Sequence, residues 1–288
     1  MRIALAEKIG FCFGVKRAVG MAKAALKKKG PIYSLGPIIH NRQVVNDLSK
    51  KGLRPIKDIT GIKNGTVVIS SHGLSPKIKR RLLKKGLKVI DTTCPFVLNA
   101  QKIAGRLSGE GYKVIIVGDA DHPEVKALVD FVEGSVFVVK DRKGLGRLKL
   151  SASDRLSIIS QTTQSTDNFL DVVKAVVEKR PKETRVFNTI CHDAEERQLA
   201  ARQLAAKSDA MLIVGGRDSA NTRRLYEVCR KVLRKSNLVE DEESLRFKSF
   251  VAGNTIGITS GASTPDWAVK RVVNKAKLKG KSKKVKGK

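Results

Sequence analysis

Apolar residues fall into two rhythms that alternate along the whole chain. Short runs such as Val114-Ile115-Ile116-Val117 and Met211-Leu212-Ile213-Val214 carry no polar interruption. A run of this kind reads as a strand covered on both faces, as in a parallel sheet flanked by helices. Between the runs lie segments such as Lys16-Arg17-Ala18-Val19-Gly20-Met21-Ala22, continuing to Leu26, whose apolar positions recur at i, i+3, i+4 and i+7. The pattern predicts strands at 2–10, 32–35, 67–70, 89–90, 114–118, 135–139, 157–160, 211–214 and 256–258. It predicts helices at 15–26, 42–51, 96–110, 166–178, 194–206, 221–233 and 265–273, with another opening at Ser75-Pro76. Strand alternating with helix implies an α/β fold of small parallel sheets joined by right-handed crossovers.

A repeat runs through this pattern. Gly36, Gly118 and Gly215 each stand 24 residues after a cysteine, Cys12, Cys94 or Cys191, and each ends an apolar run. Four residues further on stand His40, His122 and Ser219. Each copy has a second strand with a polar end, at Ser70-Ser71-His72, Ser160-Gln161-Thr162-Thr163 and Ser260-Gly261-Ala262-Ser263. These residues fall where strands end, and ligands of open parallel sheets gather beyond carboxyl ends. We therefore expect three α/β units, 13–93, 94–190 and 191–270 (the last with the N-terminal strand 1–12), followed by a basic tail at 271–288. A pseudo-threefold arrangement would bring the cysteines to a common centre, with the polar strand ends around them.

Composition narrows the class. With 41% hydrophobic residues in 288, the chain can bury a substantial core. No run approaches the roughly 20 apolar residues of a membrane span, and Glu7 and Lys8 interrupt the start too early for a signal peptide. The expected location is the cytoplasm, where thiols stay reduced and four cysteines point to metal or redox chemistry or to burial. The net charge is +31, and ten of those charges lie between Lys270 and Lys288, a stretch without acids. A solvated tail with lysine-rich helix faces, or an electrostatic docking surface, would each account for it.

Three converging cysteines could hold zinc together with a histidine, or an iron-sulfur cluster with one iron free of protein thiolate; the bland alternative is three unrelated buried thiols. There is no C-x2-C pair, and ligands this far apart suit a cluster between domains. Cys229 matches nothing in the other copies and lies at helical spacing on an apolar face, so it reads as core packing. His40, His72 and His122, with Thr162, Ser219, Asn221 and Ser263, would form a donor-rich ring suited to a phosphate or diphosphate. The chain lacks a P-loop and a G-x-G-x-x-G motif, which argues against a nucleotide cofactor. Glu124 is the carboxylate tied to that ring, either as a proton carrier or as a helix N-terminal acid. His192, beside Cys191, has no counterpart and reads as incidental or supporting.

Gly10-Phe11-Cys12-Phe13-Gly14-Val15-Lys16-Arg17-Ala18-Val19, Ser71-His72-Gly73, Thr93-Cys94-Pro95, His122-Pro123-Glu124-Val125, Gln161-Thr162-Thr163, Thr189-Ile190-Cys191, Ser219-Ala220-Asn221-Thr222 and Gly261-Ala262-Ser263-Thr264-Pro265-Asp266 follow in order over residues 10–267. This series resembles the motifs of the 4-hydroxy-3-methylbut-2-enyl diphosphate reductase family. The resemblance implies three α/β domains around a 4Fe-4S cluster, and reductive removal of a hydroxyl from an allylic diphosphate to give isopentenyl and dimethylallyl diphosphates. It implies Cys12, Cys94 and Cys191 as cluster ligands, with the substrate hydroxyl at the fourth iron. It also implies His40, His72, His122, Ser219, Asn221 and Ser263 as the diphosphate site, Thr162 beside the hydroxyl, and Glu124 as proton donor. Ala220 replaces a serine common in the family, removing one hydroxyl near the diphosphate and leaving its backbone N–H. An acidic electron donor, a ferredoxin or flavodoxin, would suit the basic surface, and a site enclosed by one chain predicts a monomer. The competing class is a zinc-stabilised nucleic-acid-binding protein whose lysines track phosphates, against which the 5% aromatic content counts.

Overall fold

The computed structural model describes residues 2–245 and 254–285, with side chains described to residue 278. The strands are β1 (Arg2–Leu5), β2 (Ile32–Leu35), β3 (Leu53–Ile56), β4 (Thr66–Ile69), β5 (Lys88–Asp91), β6 (Lys113–Val117), β7 (Val136–Val139), β8 (Arg155–Ser160), β9 (Glu183–Val186), β10 (Ala210–Val214), β11 (Ser236–Val239) and β12 (Thr255–Ser260). The helices are α1 (Phe13–Ala25), α2 (Arg42–Lys50), α3 (Pro76–Lys84), α4 (Pro95–Gly109), α5 (Pro123–Val129), α6 (Arg142–Leu145), α7 (Thr166–Val177), α8 (His192–Ala206), α9 (Ala220–Val232) and α10 (Asp266–Val285).

These strands build three four-stranded sheets, ordered β3-β2-β4-β5, β7-β6-β8-β9 and β11-β10-β12-β1, and every described pairing is parallel. The three orders are one order used three times, because the N-terminal strand β1 takes the place in the last sheet that β5 and β9 take in the others. Its register is Arg2 opposite Thr255 through Leu5 opposite Ile258. The chain forms two compact units, one of residues 1–13, 40–44 and 192–288, the other of residues 14–39 and 45–191. The first holds the β11-β10-β12-β1 sheet; the second holds the other two.

The expected α/β class and three parallel sheets are what forms. Val114 to Val117 of β6 and Ile213 and Val214 of β10 are fully buried, each in an inner strand. Burying each such side chain stabilises the fold by about 1.5–3 kcal/mol before conformational entropy is counted. Cys229 lies in the core with Ala201, Ala205, Met211, Ile213 and Leu225, as read from sequence. Two boundaries differ, and three strands are added. The first strand ends at Leu5, short of residue 10: after the Ala6 N–H bond to the Ile258 carbonyl the chain bends away from β12, and Gly10 follows at φ +79°. The last helix runs beyond residue 273 and carries the basic segment in helical backbone to Val285. Edge strands β3, β9 and β11 complete the three sheets without having announced themselves in the apolar pattern.

Candidate active site

The three cysteines occupy one backbone position, reached three times. The Cys12 N–H donates to the Ala262 carbonyl at 3.1 Å, Cys94 to Ser71 at 3.0 Å, and Cys191 to Thr162 at 2.8 Å. Each acceptor lies two residues past the end of an inner strand, β12, β4 or β8. The residue two before each cysteine is tied to the last residue of that same strand: Gly10 N–H to Ser260 Oγ at 2.8 Å, Thr189 Oγ1 to the Ser160 carbonyl at 2.6 Å, and Thr92 Oγ1 to the Ile69 carbonyl. The glycines 24 residues on match as well. Gly36, Gly118 and Gly215 donate to the terminal carbonyls of the edge strands, Ile56, Val139 and Val239, at 2.9, 2.8 and 2.9 Å. Close packing requires glycine at two of them: a Cβ on Gly118 would lie 2.9 Å from Val125, and one on Gly215 2.6 Å from Thr222 Oγ1.

The larger unit carries Cys94, Cys191, His72, His122, Thr162 and Glu124. Cys94 stands at the N-cap of α4, with the Phe96 and Val97 N–H groups close to its sulfur. Burial raises the thiol's pKa, while those N–H groups and the nearby Arg17 pull the other way. A Cβ on Gly14 would come within 2.6 Å of Cys94 Sγ, so Gly14 supplies clearance for the sulfur. Arg17 Nη1 donates to the Thr93 carbonyl at 3.0 Å, fixing the loop that leads into Cys94. The sequence held Gly14 and Arg17 inside a motif but gave no role for either.

Glu124 is 2% exposed, at the start of α5. The Thr162 N–H donates to its Oε1 at 2.6 Å, and the Thr162 hydroxyl to its Oε2 at 2.8 Å. Burial pushes its carboxyl up to about 7, against the pull of both Thr162 bonds, so it exchanges protons near neutrality. His122 caps α5 by accepting the Glu124 N–H at Nδ1, 3.2 Å, which places the neutral ring's proton on Nε2. The rings of His72 and His122 meet edge to face, centroids 5.2 Å apart.

The smaller unit carries Cys12, His40, Ser219, Asn221 and Ser263. Ser219 caps α9, its Oγ accepting the Thr222 N–H at 3.4 Å. Ser263 Oγ lies 3.2 Å from both Ser219 Oγ and the His40 carbonyl. Asn221 Oδ1 accepts the Ala262 N–H at 2.9 Å, leaving its buried Nδ2 without a partner among the described residues. Burial lowers the pKa of His40; Asp218 counters that effect and Arg223 adds to it. His192 stays on the surface, 3.3 Å from Glu196. Buried hydroxyls, an orphaned amide N–H and the N-terminus of α9 suit an anion.

This scaffold and donor set define a family of three-sheet α/β proteins built around cysteine loops. The chain belongs to the LytB family, whose model, described as LytB protein, matches residues 3–277. It is 42% identical over 283 residues to the 4-hydroxy-3-methylbut-2-enyl diphosphate reductase of Geotalea uraniireducens (strain Rf4), covering 98% of this chain and 99% of that one. It is 44% identical over 275 residues to the enzyme of that name from Geobacter sulfurreducens, covering 96% of each. A solved structure of (E)-4-hydroxy-3-methyl-but-2-enyl diphosphate reductase, described as the terminal enzyme of the non-mevalonate pathway, is 40% identical. It matches with a TM-score of 0.70 over 96% of this chain and 100% of that one. The E-1-hydroxy-2-methyl-but-2-enyl-4-diphosphate reductase of Plasmodium falciparum matches with a TM-score of 0.89 at 29% identity, over 95% of this chain and 87% of that one. The family implies a metal cofactor, and nothing in it favours the nucleic-acid-binding alternative. Among the described residues no helix is long and apolar enough to cross a membrane.

Proposed function

We propose that the chain removes the hydroxyl of 4-hydroxy-3-methylbut-2-enyl diphosphate by two-electron reduction, giving isopentenyl and dimethylallyl diphosphates. The observation that carries this reading is the buried Glu124–Thr162 pair, with a carboxyl whose pKa lies at about 7. The reaction consumes two electrons and two protons, releasing the hydroxyl as water and placing a hydrogen on carbon. A 4Fe-4S cluster held by Cys12, Cys94 and Cys191 would supply the electrons and a Lewis-acid site. The residues fit such a group: the Phe96 and Val97 N–H groups and Arg17 favour the Cys94 thiolate against the effect of its burial, Gly14 leaves room beside its sulfur, and none of the three cysteines is in a disulfide.

Glu124 delivers the proton needed by the departing hydroxyl. When Glu124 holds a proton on Oε2, its bond with Thr162 reverses, and the threonine's own hydrogen is released towards the substrate oxygen. Thr162 keeps its N–H on Oε1 throughout, so the carboxyl does not swing as it titrates. The diphosphate is assigned to His40, His72, His122, Ser219, Asn221 and Ser263, with the Ala220 N–H at the start of α9 standing in for the missing serine hydroxyl. In this reading the enzyme is a cytoplasmic monomer, and its +31 charge speeds encounter with an acidic ferredoxin or flavodoxin.

Anaerobic purification tests the assignment. The expected protein is brown and converts the substrate when given a chemical reductant. A colourless protein carrying one equivalent of zinc would reject it. Donor-dependent turnover should fall as salt rises, whereas turnover with a small neutral reductant should not.

A further inference from the structure

The larger unit contains a cavity of about 470 Å³ that the assignments above leave unused, and the volume lies in the range of small-ligand sites. Leu35, Ile56, Leu74, Ile78 and Ala127 make its wall apolar. Its rim charges cancel, with Lys57 and Lys126 set against Asp121 and Asp130, and Lys126 Nζ stands 3.6 Å from Asp121 Oδ1. The cavity thus selects for hydrocarbon and gives a free anion little to prefer. His72 forms one side of it, and the His72 ring meets that of His122 edge to face. An apolar cleft thus opens beside His72, one of the two imidazoles assigned above to the diphosphate.

We propose that this cavity receives the hydrocarbon tail of an allylic diphosphate longer than the five-carbon substrate, with the head group on the His72–His122 pair. Such a compound is what prenyl transfer makes by condensing the five-carbon products. Its binding would exclude substrate and restrain the enzyme when condensed product accumulates. The inference rests on the assignment of His72 and His122 to the diphosphate. A tail of ten carbons adds a full isoprene unit to the five-carbon skeleton, and burying just two methylenes is worth on the order of tenfold in affinity.

Calorimetry on the anaerobically prepared, cluster-loaded full chain tests this with two probes, inorganic diphosphate and geranyl diphosphate. Geranyl diphosphate should bind at least ~10-fold more tightly and inhibit competitively with substrate. Ile78→Trp, which fills the cavity, and Ile78→Gln, which makes its wall polar, should both abolish that advantage. Each should leave inorganic diphosphate affinity and turnover of the five-carbon substrate unchanged. Thermal melting monitors folding, and the glutamine variant decides alone if the tryptophan is not accommodated. Equal binding of the two probes, or a preference that survives substitution, would overturn the tail site while leaving the diphosphate assignment in place. Failure of inorganic diphosphate itself to bind would overturn both.

Discussion

Glu124 and Asn221 occupy the same place in two copies of one scaffold, and the difference between them separates a group that can carry a proton from one that cannot. Each is the second residue after a helix cap, His122 for α5 and Ser219 for α9. Each accepts the backbone N–H of the residue two past an inner strand, Thr162 for Glu124 and Ala262 for Asn221, at 2.6 and 2.9 Å. Geometry is held constant while the chemical groups change. In one copy the acceptor is an acid and the donor residue brings a hydroxyl, so the pair can move a proton. In the other the acceptor is an amide and the donor residue is alanine, so the pair can only present an N–H. A repeated fold can thus give its copies different tasks through one or two side chains.

Making the acid copy resemble the amide copy should have the largest effect. Glu124→Gln is expected to lower turnover by at least ~100-fold while keeping the cluster's absorbance, because the backbone bond from Thr162 survives and the proton does not. Its stability should change in the opposite sense. A folded-state pKa near 7, against 4.5 for the ordinary carboxyl, means that wild-type stability falls as pH rises from about 4.5 to 7. Glu124→Gln should therefore gain stability over the wild type at pH 8 and lose that advantage near pH 4, as chemical denaturation at the two pH values would show. Wild-type turnover at saturating substrate should decline as pH rises through about 7, as the donor loses its proton.

Removing only the hydroxyl sharpens the comparison. Thr162→Ala, which reproduces the Ala262 side of the pair, should lower kcat by roughly 10-fold or more with little change in KM. Making the amide copy acidic tests the other half. Asn221→Asp sets a negative charge at the proposed diphosphate site, and should raise KM by roughly 10- to 100-fold with a smaller effect on kcat. The smallest effect lies outside the repeat. Burial pushes the Cys229 thiol up to about 12, keeping it neutral, so Cys229→Ala should leave iron content unchanged and cost about 1 kcal/mol of stability through a small void. A loss of iron in that variant would show that its exclusion from the ligand set is wrong.

The inner strands and the cysteine loops were legible in the sequence because burial on both faces leaves unbroken Val and Ile runs, and because the 24-residue spacing survives divergence. Edge strands were not. β3, β9 and β11 read Leu-Arg-Pro-Ile, Glu-Thr-Arg-Val and Ser-Asn-Leu-Val, polar enough to resemble loops, and they become strands only through their paired neighbours. Glu124 was visible as a candidate with two roles. Its bonds to Thr162, 38 residues away, give the acid a physical basis that spacing alone could not supply. The matching bond from Ala262 to Asn221 was hidden for the same reason, since long-range pairs leave no local trace.

The pairing of β1 with β12 carries a consequence for how the molecule is made. Translation delivers residues 2–5 long before residues 255–260, and the N–H of Cys12 finds its carbonyl partner only after Ala262 has left the ribosome. A nascent or truncated chain can fold two complete sheets and still lack the seat for one cysteine. A cofactor that needs all three cysteines seated would then have to wait until the segment carrying Ala262 has been made.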